Sequence, residues 1–170
     1  MKIRSSIIFL TLALILVASY PVNAEWAKSQ SETLKGINSL YVTIENLHPD
    51  AKEIGLTSAM LRKDIEDKLK NTGITVPFAL IGNDDPYLNV VVTVHYDKST
   101  DFVYYALHIS LLQPVVLAKS SNLSCYGRTW FESSAGGASK KESVQVIRAD
   151  IAQQIDGFLD DYRTANPKKK

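Results

Sequence analysis

Apolar and polar positions alternate most cleanly between residues 88 and 111. Leu88, Val90, Val92, Val94 and Tyr96 alternate with Asn89, Val91, Thr93, His95 and Asp97. After a polar stretch, Val103, Tyr105, Leu107, Ile109 and Leu111 alternate with Phe102, Tyr104, Ala106, His108 and Ser110. A period of two is the mark of half-buried strands. Bringing the two apolar faces together fixes the pairing, because a slip of one residue turns one strand inside out. Tyr96 is therefore expected opposite Val103, Val94 opposite Tyr105 and His95 opposite Tyr104, with Lys98 to Asp101 as the loop.

The same period, in weaker form, predicts a strand over Ile37 to Leu47, ended by His48-Pro49-Asp50 because proline cannot continue a ladder. Leu61, Ile65 and Leu69 recur every four residues and predict a helix over Thr57 to Thr72, with Thr57 as N-cap and Gly73 at the C-terminal stop. Ile74 to Val76 reads as a short extended piece, and Gly82 to Pro86 as a loop. Pro114 ends the clean alternation or marks a bulge. After a Ser120-Ser121-Asn122 turn a further strand is expected over Ser124 to Ser133, then a flexible connector, Ser133 to Ser139 (SSAGGAS). Ser139 with Glu142 matches a capping box. Val144, Ile147, Ile151, Ile155, Phe158 and Tyr162 fall three and four apart on a helix from about Lys140 to Thr164, stopped by Pro167. The order is β-α-(β)-β-β-β-α. It predicts an α+β fold, an antiparallel sheet of about four strands with two amphipathic helices on one face.

The N-terminus has a different pattern. Lys2 and Arg4 precede the run Ile7 to Ala18, which is apolar apart from Thr11, and Pro21 and Val22-Asn23-Ala24 follow. This is the layout of an export signal cleaved before Glu25. The run is too short for a membrane span, which takes about 20 apolar residues. The expected organisation is a signal peptide over 1–24, a flexible lead-in over 25–36, one domain over 37–166 and a basic tail over 167–170. The mature protein is expected in the periplasm or secreted, with no stable membrane insertion. Of 19 basic and 18 acidic residues, loss of Lys2 and Arg4 leaves 17 and 18. A net charge near −1 offers no field to steer nucleic acid. The one cysteine, Cys125, cannot form an internal disulfide, and within SCYGRTWF it reads as a buried, inert thiol.

Candidate chemistry is sparse. His95 and His108 share the outer sheet face but lie about 13 Å apart at ~3.3 Å per residue, too far for one zinc ion. His48 belongs to a loop elsewhere. His108 and Ser110 are two apart on one strand, poor geometry on a flat strand for proton transfer between hydroxyl and imidazole, and no G-x-S-x-G elbow occurs. Asp84-Asp85 reads as turn chemistry, Asp160-Asp161 as the polar side of a helix, and Gly136-Gly137 lacks a phosphate-loop Lys-Ser/Thr. The sequence therefore points to no catalytic residue, no metal and no cofactor.

One surface stands out. If Cys125, Gly127, Thr129 and Phe131 face the helices, then Tyr126, Arg128, Trp130 and Glu132 join Phe102, Tyr104, His95 and His108 on the open sheet face. Tyr, Trp, Arg and His together make the composition of an interface hot spot. The candidate binding face is thus Tyr104, His108, Tyr126, Arg128 and Trp130. The competing reading reverses this strand, or uses the lead-in, to bury Trp130. The run GLTSAMLRKDIEDKLKNTGI, the alternating strands, the TW pair and the helix ending DGFLDDYRTANP resemble a pattern of exported bacterial proteins. In element order the chain is similar to small periplasmic assembly factors, such as the lipopolysaccharide-transport lipoprotein E group and auxiliary lipoproteins of ABC transport systems. It departs from those lipoproteins in having no cysteine after the signal. The resemblance carries no catalytic motif across, and the expected function is a non-enzymatic exported domain that binds a protein or envelope component through its open sheet face, with a homodimer as one form. The alternative is a small hydrolase or other small-molecule enzyme with a dispersed site.

Overall fold

The computed structural model describes residues 30–79, 85–117 and 119–167. The expected signal, residues 25–29, residues 80–84 with Asp84 and the start of the 82–86 loop, residue 118, and the Lys168 to Lys170 tail lie outside them. The fold is α+β, and its one sheet has four strands in the order β1-β2-β3-β4. These are β1 (Tyr41–Ile44), β2 (Tyr87–Asp97), β3 (Phe102–Leu117) and β4 (Ser120–Ser139). The helices are α1 (Pro49–Glu53), α2 (Ser58–Lys70) and α3 (Lys140–Ala165).

The β2–β3 hairpin has the register its alternation demands, with Tyr96 opposite Val103, Val94 opposite Tyr105 and Asn89 opposite Ser110. The Asp97 carboxylate accepts from Ser99 N, Ser99 Oγ and Thr100 Oγ1 and so ties the four-residue loop. Those hydrogen bonds hold its pKa down at about 2.

The sheet is mixed, not antiparallel: β1 runs parallel to β2, from Tyr41 opposite Tyr87 to Ile44 opposite Val90. The chain between them passes through α1 and α2 before it re-enters the sheet. Such a crossover returns it in the same direction, whereas an antiparallel neighbour needs only a tight turn. β1 is also shorter than its periodicity suggests, and the extended piece at Ile74 to Val76 forms a single parallel bridge, Thr75 to Ser39. Beyond Val90, β1 no longer covers β2. There α1, begun by Pro49 at its first turn, places Asp50 so that its carboxylate accepts from Tyr96 N at 2.9 Å. That bond holds Asp50 below the ordinary carboxylate range. The His48-Pro49-Asp50 stop is thus itself the start of a third helix.

On the inner face Leu88, Val90, Val92, Val94, Val103, Leu107, Ile109 and Leu111 are buried. Leu61, Ile65 and Leu69 of α2 and Ile147, Ile151, Ile155 and Phe158 of α3 join them in one core. Thr57 caps α2, its Oγ1 accepting from Met60 N, and Gly73 takes the left-handed conformation (φ +90°) past its end. Ser139 stands at the start of α3, but its hydroxyl donates to Glu142 Oε2 (2.8 Å) and caps no backbone N–H, so the reciprocal box does not form. Arg148 grips Asp64 through two hydrogen bonds, of 2.7 and 2.9 Å, and ties α3 to α2.

The largest difference from the sequence pattern is β4. Residues 133–139, expected to be a flexible connector, are strand, with Gly136 opposite Tyr105 and Gly137 opposite Tyr104. A Cβ at Gly136 would stand 2.5 Å from the Tyr105 hydroxyl, and one at Gly137 would stand 2.5 Å from the Phe102 ring. The glycines are there because two large rings lie across them. The described part of the lead-in is also fixed, with Leu34 buried in the core.

Candidate binding face

The outer side of the sheet carries the site, and a one-residue irregularity in β4 decides its membership. Leu111 pairs with Trp130, yet Leu112 pairs with Arg128, so Thr129 is an extra residue, a β-bulge. Residues 30–33 fill the gap it makes. Thr33 Oγ1 donates to Thr129 O (3.2 Å), Gln113 Nε2 donates to Thr129 Oγ1 (2.7 Å) and to Thr33 O (3.0 Å), and Phe131 N donates to Gln30 Oε1 (2.9 Å).

Before the bulge the expected facing holds: Tyr126 and Arg128 lie outward, with Gly127 against Val115 on the other side. After the bulge it inverts. Trp130 is 3 % exposed and packs edge-on to Phe158 at 5.1 Å, and its Nε1 donates to Asp161 Oδ2 at 2.9 Å. Trp130 is therefore core and leaves the candidate face. Asp161 turns toward β4 rather than sitting on a solvated helix side. Glu132 also turns inward, against Gly157 of α3, and burial and the neighbouring Asp161 push its carboxyl up. Phe131, assigned by the sequence pattern to the core side, takes Trp130's place outside.

Phe131 is the platform of a cluster. The Arg128 guanidinium lies over its ring at 4.6 Å, and the His108 ring stacks beside it at 6.1 Å between centroids. Arg128 Nη1 is 3.0 Å and Ser110 Oγ 2.8 Å from His108 Nε2. A guanidinium only donates, so Nε2 is the acceptor, and the hydrogen-bond pattern assigns the imidazole proton to Nδ1. The expected separation of His108 and Ser110 is thus closed in the fold. Ser110 is nevertheless buried (4 % exposed), opposite Phe131 in the ladder. Its hydroxyl orders the face and is closed to an approaching substrate.

Tyr104, 52 % exposed, stands four residues along β3 beside Phe102, ring centroids 5.0 Å apart. Ala106 and Ala135 form an exposed floor between the two aromatic groups. At the other end β3 and β4 run past the start of β2 as a two-stranded arm. There Val116, Leu117 and Leu123 are exposed, and Tyr126 packs on Tyr87 at 5.3 Å. Cys125 is exposed on this arm, not buried as its sequence surroundings suggested, because no helix covers that stretch.

Elsewhere, an open groove of about 690 Å³ lies between α2 and α3, with Asp64, Lys68 and Arg148 in its lining. Asp64 and Arg148 pair with each other and Lys68 with Asp156. Among the described residues no three His, Cys, Asp or Glu side chains are grouped to hold an ion, and no helix is long and apolar enough to cross a membrane.

The sequence pattern could have exposed the inversion at one point. Trp130 and Phe131 are adjacent, so a regular strand sends one of them outward. What chooses between them is Thr33, 96 positions from Thr129.

The α+β class with a four-stranded mixed sheet is as far as the fold defines this protein. No family model matches the chain, and neither does any curated protein sequence. Several solved structures are similar in part, two of them as follows. A dodecameric PelC variant from Paraburkholderia phytofirmans is 14% identical, with a TM-score of 0.43 over 69% of this chain and 82% of that one. The crystal structure of an uncharacterized protein is 15% identical, with a TM-score of 0.39 over 73% and 92%. At TM-scores below 0.5 this likeness assigns this chain neither activity nor partner.

Proposed function

We propose that this chain is exported, that residues 1–24 are removed on the way, and that the remaining domain binds another protein or a cell-envelope component without catalysing a reaction. It does so through the outer face of β3 and β4, with Tyr104, His108, Tyr126, Arg128 and Phe131 in contact. The observation that carries this reading is the cluster of Arg128 and His108 on Phe131, ordered by Ser110 and left in the open. Rigid aromatic and arginine anchors lose little entropy on association and account for most of the energy in interfaces. The exposed Tyr104 and the apolar arm extend the surface on both sides. A small-molecule enzyme needs a recess with converging polar groups, and the groove between α2 and α3 is open, with Asp64, Asp67, Lys68 and Arg148 of its lining engaged in ion pairs.

The test separates binding from folding on the same variants. Tyr104→Ala and Phe131→Ala are expected to weaken a recovered association by ~2 kcal/mol or more each, with thermal unfolding close to that of the parent. Trp130→Ala is expected to cost ~3–5 kcal/mol of stability, as the loss of a buried ring. Outer-face variants that bind as the parent does would refute the proposal.

A further inference from the structure

We infer that the outer face of β3 and β4 receives a protein segment that brings a carboxylate to Arg128 with apolar side chains on either side of it. This deepens the binding-face reading above and rests on it. The first ground is charge. Arg62, Arg148 and Arg163 pair with Glu66, Asp64 and Asp160. Arg128 alone among the described arginines has no carboxylate partner. The two strands themselves supply none, because β3 contains no Asp or Glu and the single acid of β4, Glu132, turns inward. The outer side of these two strands therefore presents one formal charge, a positive one, in an aromatic setting.

The second ground is geometry. Arg128 lies flat on Phe131, and one donor, Nη1, is spent on His108 Nε2. That contact fixes the plane of the guanidinium, and its other N–H groups have no acceptor among the described residues. A guanidinium with a fixed plane is matched to the two oxygens of a carboxylate, since the fork is set before the ligand arrives. Tyr126 two residues away and Tyr104 across the floor of Ala106 and Ala135 offer apolar contact on both sides. A protein segment meets both demands, a carboxylate and flanking hydrocarbon, whereas a free anion leaves the rings uncovered and the sugar ring of an acidic glycan carries hydroxyl groups, not apolar side chains, beside its carboxylate. A second copy of this chain is a poorer match. Two such faces brought together would set arginine against a surface without an acid.

Chemical-shift titration of the isotope-labelled protein tests this, with three probes. They are the N-acetylated tripeptide amide Leu-Glu-Leu, its Leu-Gln-Leu counterpart, and glucuronate. The expected result is saturable movement of the Arg128, His108 and Phe131 signals with the Glu peptide, at least tenfold weaker with the Gln peptide and with glucuronate. Arg128→Gln should remove the preference, and Arg128→Lys, which keeps the charge but not the fork, should restore only part of it. Equal response to the Glu and Gln peptides, or a preference that survives Arg128→Gln, overturns the carboxylate and leaves the binding face standing. Glucuronate binding as well as the Glu peptide replaces the protein segment with an acidic glycan. No response to any probe overturns the inference. Only a recovered association indifferent to Tyr104→Ala and Phe131→Ala overturns the face itself.

Discussion

Thr129 shows how much a single residue decides here. Without its bulge, β4 would continue its alternation through Thr129, Phe131 would enter the core and Trp130 would meet solvent. With it, Trp130 finds a hydrogen-bond acceptor in Asp161, and Phe131 becomes the ring on which Arg128 and His108 lie. The same inversion carries Glu132 under α3, where the described residues give its carboxylate no hydrogen bond. Burial and Asp161 raise its pKa above the ordinary 4.5. A carboxyl raised in the folded state binds its proton more tightly there than in the unfolded chain. Its contribution to stability is therefore complete below about pH 4.5 and is lost as the pH rises through the folded value. Glu132→Gln, neutral throughout, is expected to be more stable than the parent near neutral pH. The gap should shrink as the pH falls. Urea unfolding of both proteins between pH 4 and 8 checks this, and parallel curves would mean that Glu132 ionises as freely as in the unfolded chain.

Among the elements, the β3–β4 hairpin departs most from local pattern. Small residues in SSAGGAS have low strand propensity, and read alone they describe a linker. In the sheet they are the complement of Tyr105 and Phe102, whose rings need the space. Tyr105 is buried and its hydroxyl donates to Asp150 of α3 at 2.6 Å, while burial and that bond push its pKa up to about 12. The ring is thus pinned at both ends and cannot yield cheaply. Gly136→Ala should cost ~1–3 kcal/mol through overpacking, although alanine in an unstrained strand is ordinarily the better residue. In a Tyr105→Ala background the same change should cost almost nothing. A four-variant denaturation cycle gives the answer, and an equal penalty in both backgrounds would remove Tyr105 as the cause. The two long helices, α2 and α3, in contrast, were legible to within a few residues. Leu61, Ile65 and Leu69, and Ile147, Ile151, Ile155 and Phe158, are buried where their spacing put them.

For the whole molecule, the proposed export makes a plain prediction. Protein recovered from the periplasm or the medium should begin at Glu25 by N-terminal sequencing, and an intact Met1 in a membrane fraction would refute it. The tertiary structure adds that the chain soon after this point is part of the fold. Leu34 is core, and Gln30 and Thr33 hold the bulge from which the candidate face is built. Truncation into residues 30–34 would thus disturb the outer face as well as the core.

The sequence by itself determined the β2–β3 register, the buried stripes of α2 and α3 and the outward placement of Tyr104 and His108. Each follows from a repeat of two, three or four residues, and burying such a repeat leaves one choice of face. Tertiary structure decided the parallel direction of β1, the strand state of residues 133–139, the exposure of Cys125 and the exchange of Trp130 for Phe131. It also brought Ser110, His108 and Arg128 into one cluster. These depend on partners far away in the chain: a crossover through α1 and α2, Tyr105 over Gly136, Thr33 at Thr129. A local pattern records which side of a strand is apolar. It does not record which distant residue will fill a gap, and that filling fixed the side of the sheet on which each of the two adjacent aromatics lies.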